Sequence, residues 1–155
     1  MQEFPNITLE QPIQESIQSL FDVALSIEGG WGYRQTEATK IISVQKEMPL
    51  PQLQHMLITM RSHLEMNITR TEEERYSAIN ANEKSREKIE KNTKVFDKVT
   101  YTVTAIKEDL YHAFIKEYKA GYDDQSLDLT AHFQKRKEAT LTREVIYYFE
   151  VSAVL

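Results

Sequence analysis

The side chains best suited to chemistry fall within one short stretch: His55, Arg61, His63 and Glu65. Imidazole is the side chain whose unperturbed pKa lies near neutrality, so two of them can bind metal or move protons where a lysine cannot. A guanidinium beside them can hold a carboxylate or phosphate through two parallel hydrogen bonds. The surrounding pattern has period two. His55, Leu57, Thr59, Arg61, His63, Glu65 and Asn67 alternate with Met56, Ile58, Met60, Ser62, Leu64, Met66 and Ile68. This predicts a strand over 54–68 with one apolar face on a core and one wet face carrying the four residues. On that face His63 and Glu65 point the same way, while His55 lies about 26 Å from His63 along the strand. The simpler reading is a solvated ion pair of Glu65 with Arg61 and His63, worth under about 1 kcal/mol. A helix through Leu50, Leu53, Leu57, Met60 and Leu64 fits part of the segment as well. It would set His63 and Glu65 about 200° apart and dissolve the site.

Trp31 is the other candidate ligand-binding residue. It sits in Gly29-Gly30-Trp31-Gly32-Tyr33, which holds three of the chain's four glycines. The stretch does not follow a strand and open a helix, so it is no dinucleotide loop. A tight corner whose aromatics close over the core is the expectation, with a lid carrying Trp31 as the functional alternative. Glu108 and His112 stand one helical turn apart, a workable pair of metal ligands, but a site needs three or four. The chain has no cysteine, which removes thiol chemistry and Cys-ligated metals. No Gly-x-Ser-x-Gly, P-loop, EF-hand or zincin helix occurs. No metal and no cofactor is expected, and no catalytic residue can be named.

Several elements must position these residues. Ile13, Ile17, Leu20, Phe21, Ala24 and Ile27 share one helical face, predicting a helix from Pro12 to Glu28. Thr36–Val44 leans to a strand because of its β-branched content. Residues 69–94 carry seven basic against six acidic side chains and few apolar ones. They read as an exposed polar excursion, part loop and part solvated helix, with Thr71 and Glu74 forming a possible capping box. Val99, Tyr101 and Val103 alternate with threonines as in a strand over 95–104, and a helix follows near 106–120. Asp123-Asp124 reads as a turn, and Leu127, Leu129, Ala131 and Phe133 as a strand over 126–134. Lys135-Arg136-Lys137 then falls at a hairpin turn. The segment 141–153 is apolar on both faces for much of its length, which predicts a central strand with cover on both sides.

The 155 residues carry a net charge of −5, with 41% hydrophobic and 28% charged side chains. One globular domain spanning 1–155 is expected. Its class is α+β: a mainly antiparallel sheet with two principal helices on one face and the excursion at 69–94. The acidic balance argues against a nucleic-acid partner, although aromatics beside Lys135-Arg136-Lys137 could in principle stack bases. No apolar run reaches the ~18 residues of a spanning helix, and the first residues do not form a secretory leader, so the expectation is a soluble, cytoplasmic protein without a membrane partner. The leading functional expectation is a non-catalytic protein acting through protein–protein contacts, as adaptor, inhibitor or assembly subunit. The alternative is a small-ligand binder or small enzyme with a pocket between sheet and helices. A homodimer is the default oligomer.

Overall fold

The computed structural model describes residues 4–8, 11–67, 74–124 and 128–155. The class is α+β, as expected. In chain order the elements are α1 (Ile13–Phe21), β1 (Ile27–Gly29), β2 (Thr39–Ile41), α2 (Leu50–Asn67), β3 (Tyr76–Lys91), β4 (Lys94–Lys107), α3 (Glu108–Asp124), α4 (Leu129–Ala139) and β5 (Leu141–Glu150). The five strands form one sheet in the order β1-β2-β5-β4-β3. Among the described residues only the β2–β5 pair is parallel.

The strand at 141–153 is realised as β5, and it is central. Val145, Tyr147 and Phe149 point to the core, in step with Val99, Tyr101 and Val103 of β4. The expected cover on both sides is not found: their opposite face stays largely open, with Ile146 38% exposed. Ile13 and Ile17 of α1 and Leu53, Leu57, Ile58 and Leu64 of α2 close over the core face. Burial of these side chains, each worth about 1.5–3 kcal/mol, is what holds the layers together.

Four local expectations are corrected. First, 54–68 is not a strand: α2 is a helix of eighteen residues. Its polarity misleads because Gln54, Arg61, Ser62 and Glu65 are polar and buried. Second, the helix expected to Glu28 ends at Phe21, where Asp22 adopts the left-handed conformation (φ 56°) and its N–H bonds the Gln18 carbonyl. The chain then runs extended into β1. Third, 76–91 is neither loop nor helix but the long edge strand β3, exposed over most of its length. Pairing with β4 overrides its helix-favouring Glu, Lys and Arg content. Thr71 of the supposed capping box lies outside the described residues. Fourth, 129–139 is helix α4, whose N-cap Asp128 accepts a hydrogen bond from the Ala131 amide at 3.1 Å. Leu127 lies outside the described residues. Lys135-Arg136-Lys137 is therefore no hairpin turn; Arg136 and Lys137 occupy the last turn of α4, where positive charge favours the helix dipole. Asp123 and Asp124 end α3 rather than forming a separate turn.

The α3–α4 pair is inserted between the neighbouring strands β4 and β5. His132 of α4 is wholly buried there against the rings of Phe114, Tyr118 and Phe133.

Candidate functional site

The structure divides the expected site residues into two groups. Because α2 is a helix, positions 61 and 65 share one side, one turn apart, and positions 55, 59 and 63 share another. Arg61 and Glu65 face inward and are 1% and 3% exposed. His55 and His63 face outward and are exposed. The wet face of a strand that was to unite all four does not exist.

Trp31 joins the inner group, through its backbone. The Arg61 guanidinium donates to the Trp31 carbonyl (3.0 Å) and the Ile146 carbonyl (2.8 Å). It is sandwiched between the rings of Tyr33 and Tyr147, at 4.4 and 4.5 Å from their centroids. Such stacking suits arginine, which is planar and weakly hydrated. Glu65 supplies the counter-charge. Its Oε2 lies 3.7 Å from Arg61 Nε and accepts from the Tyr33 hydroxyl at 2.6 Å. Its Oε1 accepts from Arg143 of β5 at 2.9 Å. The Tyr33 hydroxyl in turn accepts the Ile7 amide (2.9 Å), tying the N-terminal segment to the core. Burial, then the Glu65 charge, pushes the Tyr33 phenol well above its ordinary pKa. Tyr147, wholly buried, is pushed up to about 12 by burial. Its hydroxyl bonds Thr39 Oγ1 at 2.6 Å.

The glycine corner makes this packing possible. Gly32 has φ 75° and lies against the Tyr147 ring, with the Tyr148 carbonyl 2.9 Å from where a Cβ would sit. Its carbonyl accepts the Tyr148 amide at 2.8 Å, which ties the corner to β5. Only glycine takes that conformation at no steric cost while leaving room for the ring. Trp31, 2% exposed, is thus a core residue and no lid.

A second buried polar contact lies at the far end of α2. Asp97 of β4 accepts from Gln54 at 2.8 Å and lies 3.5 Å from Arg86 of β3. Arg86 also grips Glu83 and holds that carboxyl below the ordinary range. Both clusters join elements distant in sequence. Their charges are consumed internally, leaving no open carboxylate pair for acid–base work.

The outer group borders an open groove of about 830 Å³ between α2, the start of β3 and α3. Phe21, Met56, Met60, Ile79 and Tyr111 give it apolar walls, and His55, Thr59 and His63 line the α2 side. A backbone irregularity shapes the opposite wall: Ala78 has φ 53°, and the β3–β4 register shifts between Ser77 and Asn80. Such a bulge bends the strand where Ser77, Ala78 and Ile79 line the groove. Sequence reasoning named the two histidines but missed the groove, whose signal is the i, i+4, i+8 row of positions 55, 59 and 63. Glu108 and His112 form a surface pair at 3.5 Å. Among the described residues, no three His, Asp or Glu side chains gather as a metal site. No described helix is long and apolar enough to cross a membrane. Comparison with known protein families, curated proteins and solved structures finds no match for this chain.

Proposed function

We propose that the chain is a non-catalytic, cytoplasmic binding protein that works through contact with another protein, and that the groove between α2, β3 and α3 receives an apolar segment of that partner. The observation that carries this reading is the groove itself: open along its length, walled by Phe21, Met56, Met60, Ile79 and Tyr111. Sites for small molecules usually enclose most of the ligand, whereas an open apolar trough suits an amphipathic helix or extended segment. Methionines add walls that adjust to the shape of what they meet. The buried Arg61–Glu65 network supports the same reading, because its polar groups are spent on one another.

The test places a photoactivatable cross-linker at Met56 and, separately, at Lys137 on α4, in cells that make the protein. The expected result is one stoichiometric protein adduct from position 56, lost when Thr59→Arg fills the groove, and no such adduct from position 137. Adducts indifferent to Thr59→Arg would overturn the reading. A second reading, binding of a small molecule, is favoured by the convergence of His55, Thr59 and His63 on one wall. It expects a small molecule in native mass spectra of the purified protein, lost in His63→Ala.

A further inference from the structure

We infer that the outer edge of β3 pairs with the same edge of a second copy, antiparallel and centred on Ile89. This surface is independent of the groove. β3 ends the sheet, and no described strand lies on its far side. An edge strand offers a row of unpaired N–H and C=O groups to any strand it meets, and proteins control such edges with charge. Here the charges follow a particular order: Glu87-Lys88-Ile89-Glu90-Lys91. Read backwards, every glutamate falls where a lysine stood and every lysine where a glutamate stood.

An antiparallel pairing about a two-fold axis keeps opposed side chains on one face, so the axis must lie midway between the two copies of a single residue. Centred on Ile89, the pairing sets Lys88 opposite Glu90 and Glu87 opposite Lys91, each twice, with Ile89 facing Ile89. Centred on Glu87, Lys88, Glu90 or Lys91, it sets that charge against its own copy. Within the stretch one register is therefore free of like-charge pairs, and the other four each place like charges face to face. The four charges are also available. Among the described residues none of Glu87, Lys88, Glu90 and Lys91 makes an ion pair, whereas the neighbouring Lys84, Arg86 and Lys94 all do. The hairpin turn at Asn92-Thr93 leaves the strand straight to its last residue, with Lys91 opposite Lys94. The partner's hairpin tip then points the opposite way, so only the tips overlap. An interface this short and exposed gives a weak, salt-sensitive dimer.

The experiment is sedimentation equilibrium of the full chain at low and high salt, across micromolar to millimolar concentrations. Wild type is expected to self-associate at low salt and dissociate as salt rises. Two variants decide the register: Lys88→Glu/Lys91→Glu, all acidic, and Glu87→Lys/Glu90→Lys, all basic. Each alone should weaken self-association ~tenfold or more, and an equimolar mixture should restore it. All four positions are exposed, so folding is spared. Because the chain lacks cysteine, Ser85→Cys accepts a single spin label. The two copies of residue 85 should then lie eight residues apart along the pair, about 26 Å. A wild type that stays monomeric throughout, or charge variants that associate like wild type, or a mixture that fails to associate, overturns the inference.

Discussion

Glu65→Gln keeps the volume of the side chain and removes the carboxylate that faces two guanidinium groups. In the native protein one oxygen accepts from Arg143 at 2.9 Å, and the other accepts from Tyr33 at 2.6 Å beside Arg61 Nε. An amide has one oxygen. Turned toward Tyr33, it aims its NH2 at Arg143, donor against donor. Turned toward Arg143, it aims its NH2 at Arg61, again donor against donor, and the Tyr33 hydroxyl loses the acceptor for its proton. Arg61, 1% exposed, keeps two carbonyls and two rings but loses its counter-charge. Removing one member of a buried ion pair costs about 3–5 kcal/mol. With an unfolding entropy of about 2.1 cal/mol/K per residue, that lowers Tm by roughly 9–15 °C. Thermal melts and urea titration measure it. Tyr33→Phe, which removes one bond to the carboxylate, should cost less, about 1.5–3 kcal/mol. Arg61→Met/Glu65→Met should be more stable than Glu65→Gln alone, since it leaves no charge stranded in the core and Arg143, 18% exposed, can turn to water. A Glu65→Gln protein within about 1 kcal/mol of wild type, at unchanged m-value, would refute the account of the network.

Two further outcomes follow from the same geometry. Tyr33, Tyr101 and Tyr147 all have raised pKa values, chiefly through burial, so the unfolded chain loses those protons first as pH rises. Their stabilising contribution is complete below about pH 10 and is lost toward and beyond pH 12. Phenolate absorbance should therefore show these three of the eight tyrosines ionising only as the fold is lost, and a smooth titration of all eight in the folded state would contradict it. Thr93, at φ 65° in the β3–β4 turn, is a β-branched residue in the left-handed region. Thr93→Gly should stabilise by about 1 kcal/mol, raising Tm by roughly 3 °C, and a lower Tm would show that the turn is not strained there.

The parts of the fold legible in the sequence are those where burial and polarity agree. β4 alternates cleanly because one face meets the core and the other does not, and the long apolar run of β5 marks a strand although only one of its faces is buried. Ile13 and Ile17 mark the α1 face for the same reason. Legibility fails where a tertiary partner replaces solvent. Arg61 and Glu65 look like the outside of something, yet both are buried, and their odd-numbered positions beside His55, Thr59 and His63 made α2 alternate with period two. Gln54 and Ser62 are buried polar residues as well, on the other register. β3 looks like a solvated helix because its side chains are exposed and charged. What makes it a strand is the row of backbone partners on β4, and these leave no trace in its own composition. In α4 the side chain driven inward is His132, while Leu129 and Phe133 are 46% and 51% exposed, so apolar spacing pointed at the wrong side.

The misreading of α2 also bears on function. Arg61 and Glu65 attract notice as an anion-binding pair, and in a sense they are one: the anion Arg61 holds is Glu65, and the carbonyls it satisfies are those of Trp31 and Ile146. A guanidinium enclosed by two rings, two carbonyls and a carboxylate has little capacity left for a substrate. Opening that cluster to admit one would expose Tyr33 and Tyr147 and strand Glu65 against Arg143. The stability the network supplies and a ligand role for it are therefore mutually exclusive. What remains free to act lies outside it: the groove on the far side of α2 and the charged outer edge of β3. These are the two surfaces on which the proposals of a protein partner and of a second copy rest, one through its apolar walls and the other through edge backbone and ordered charge.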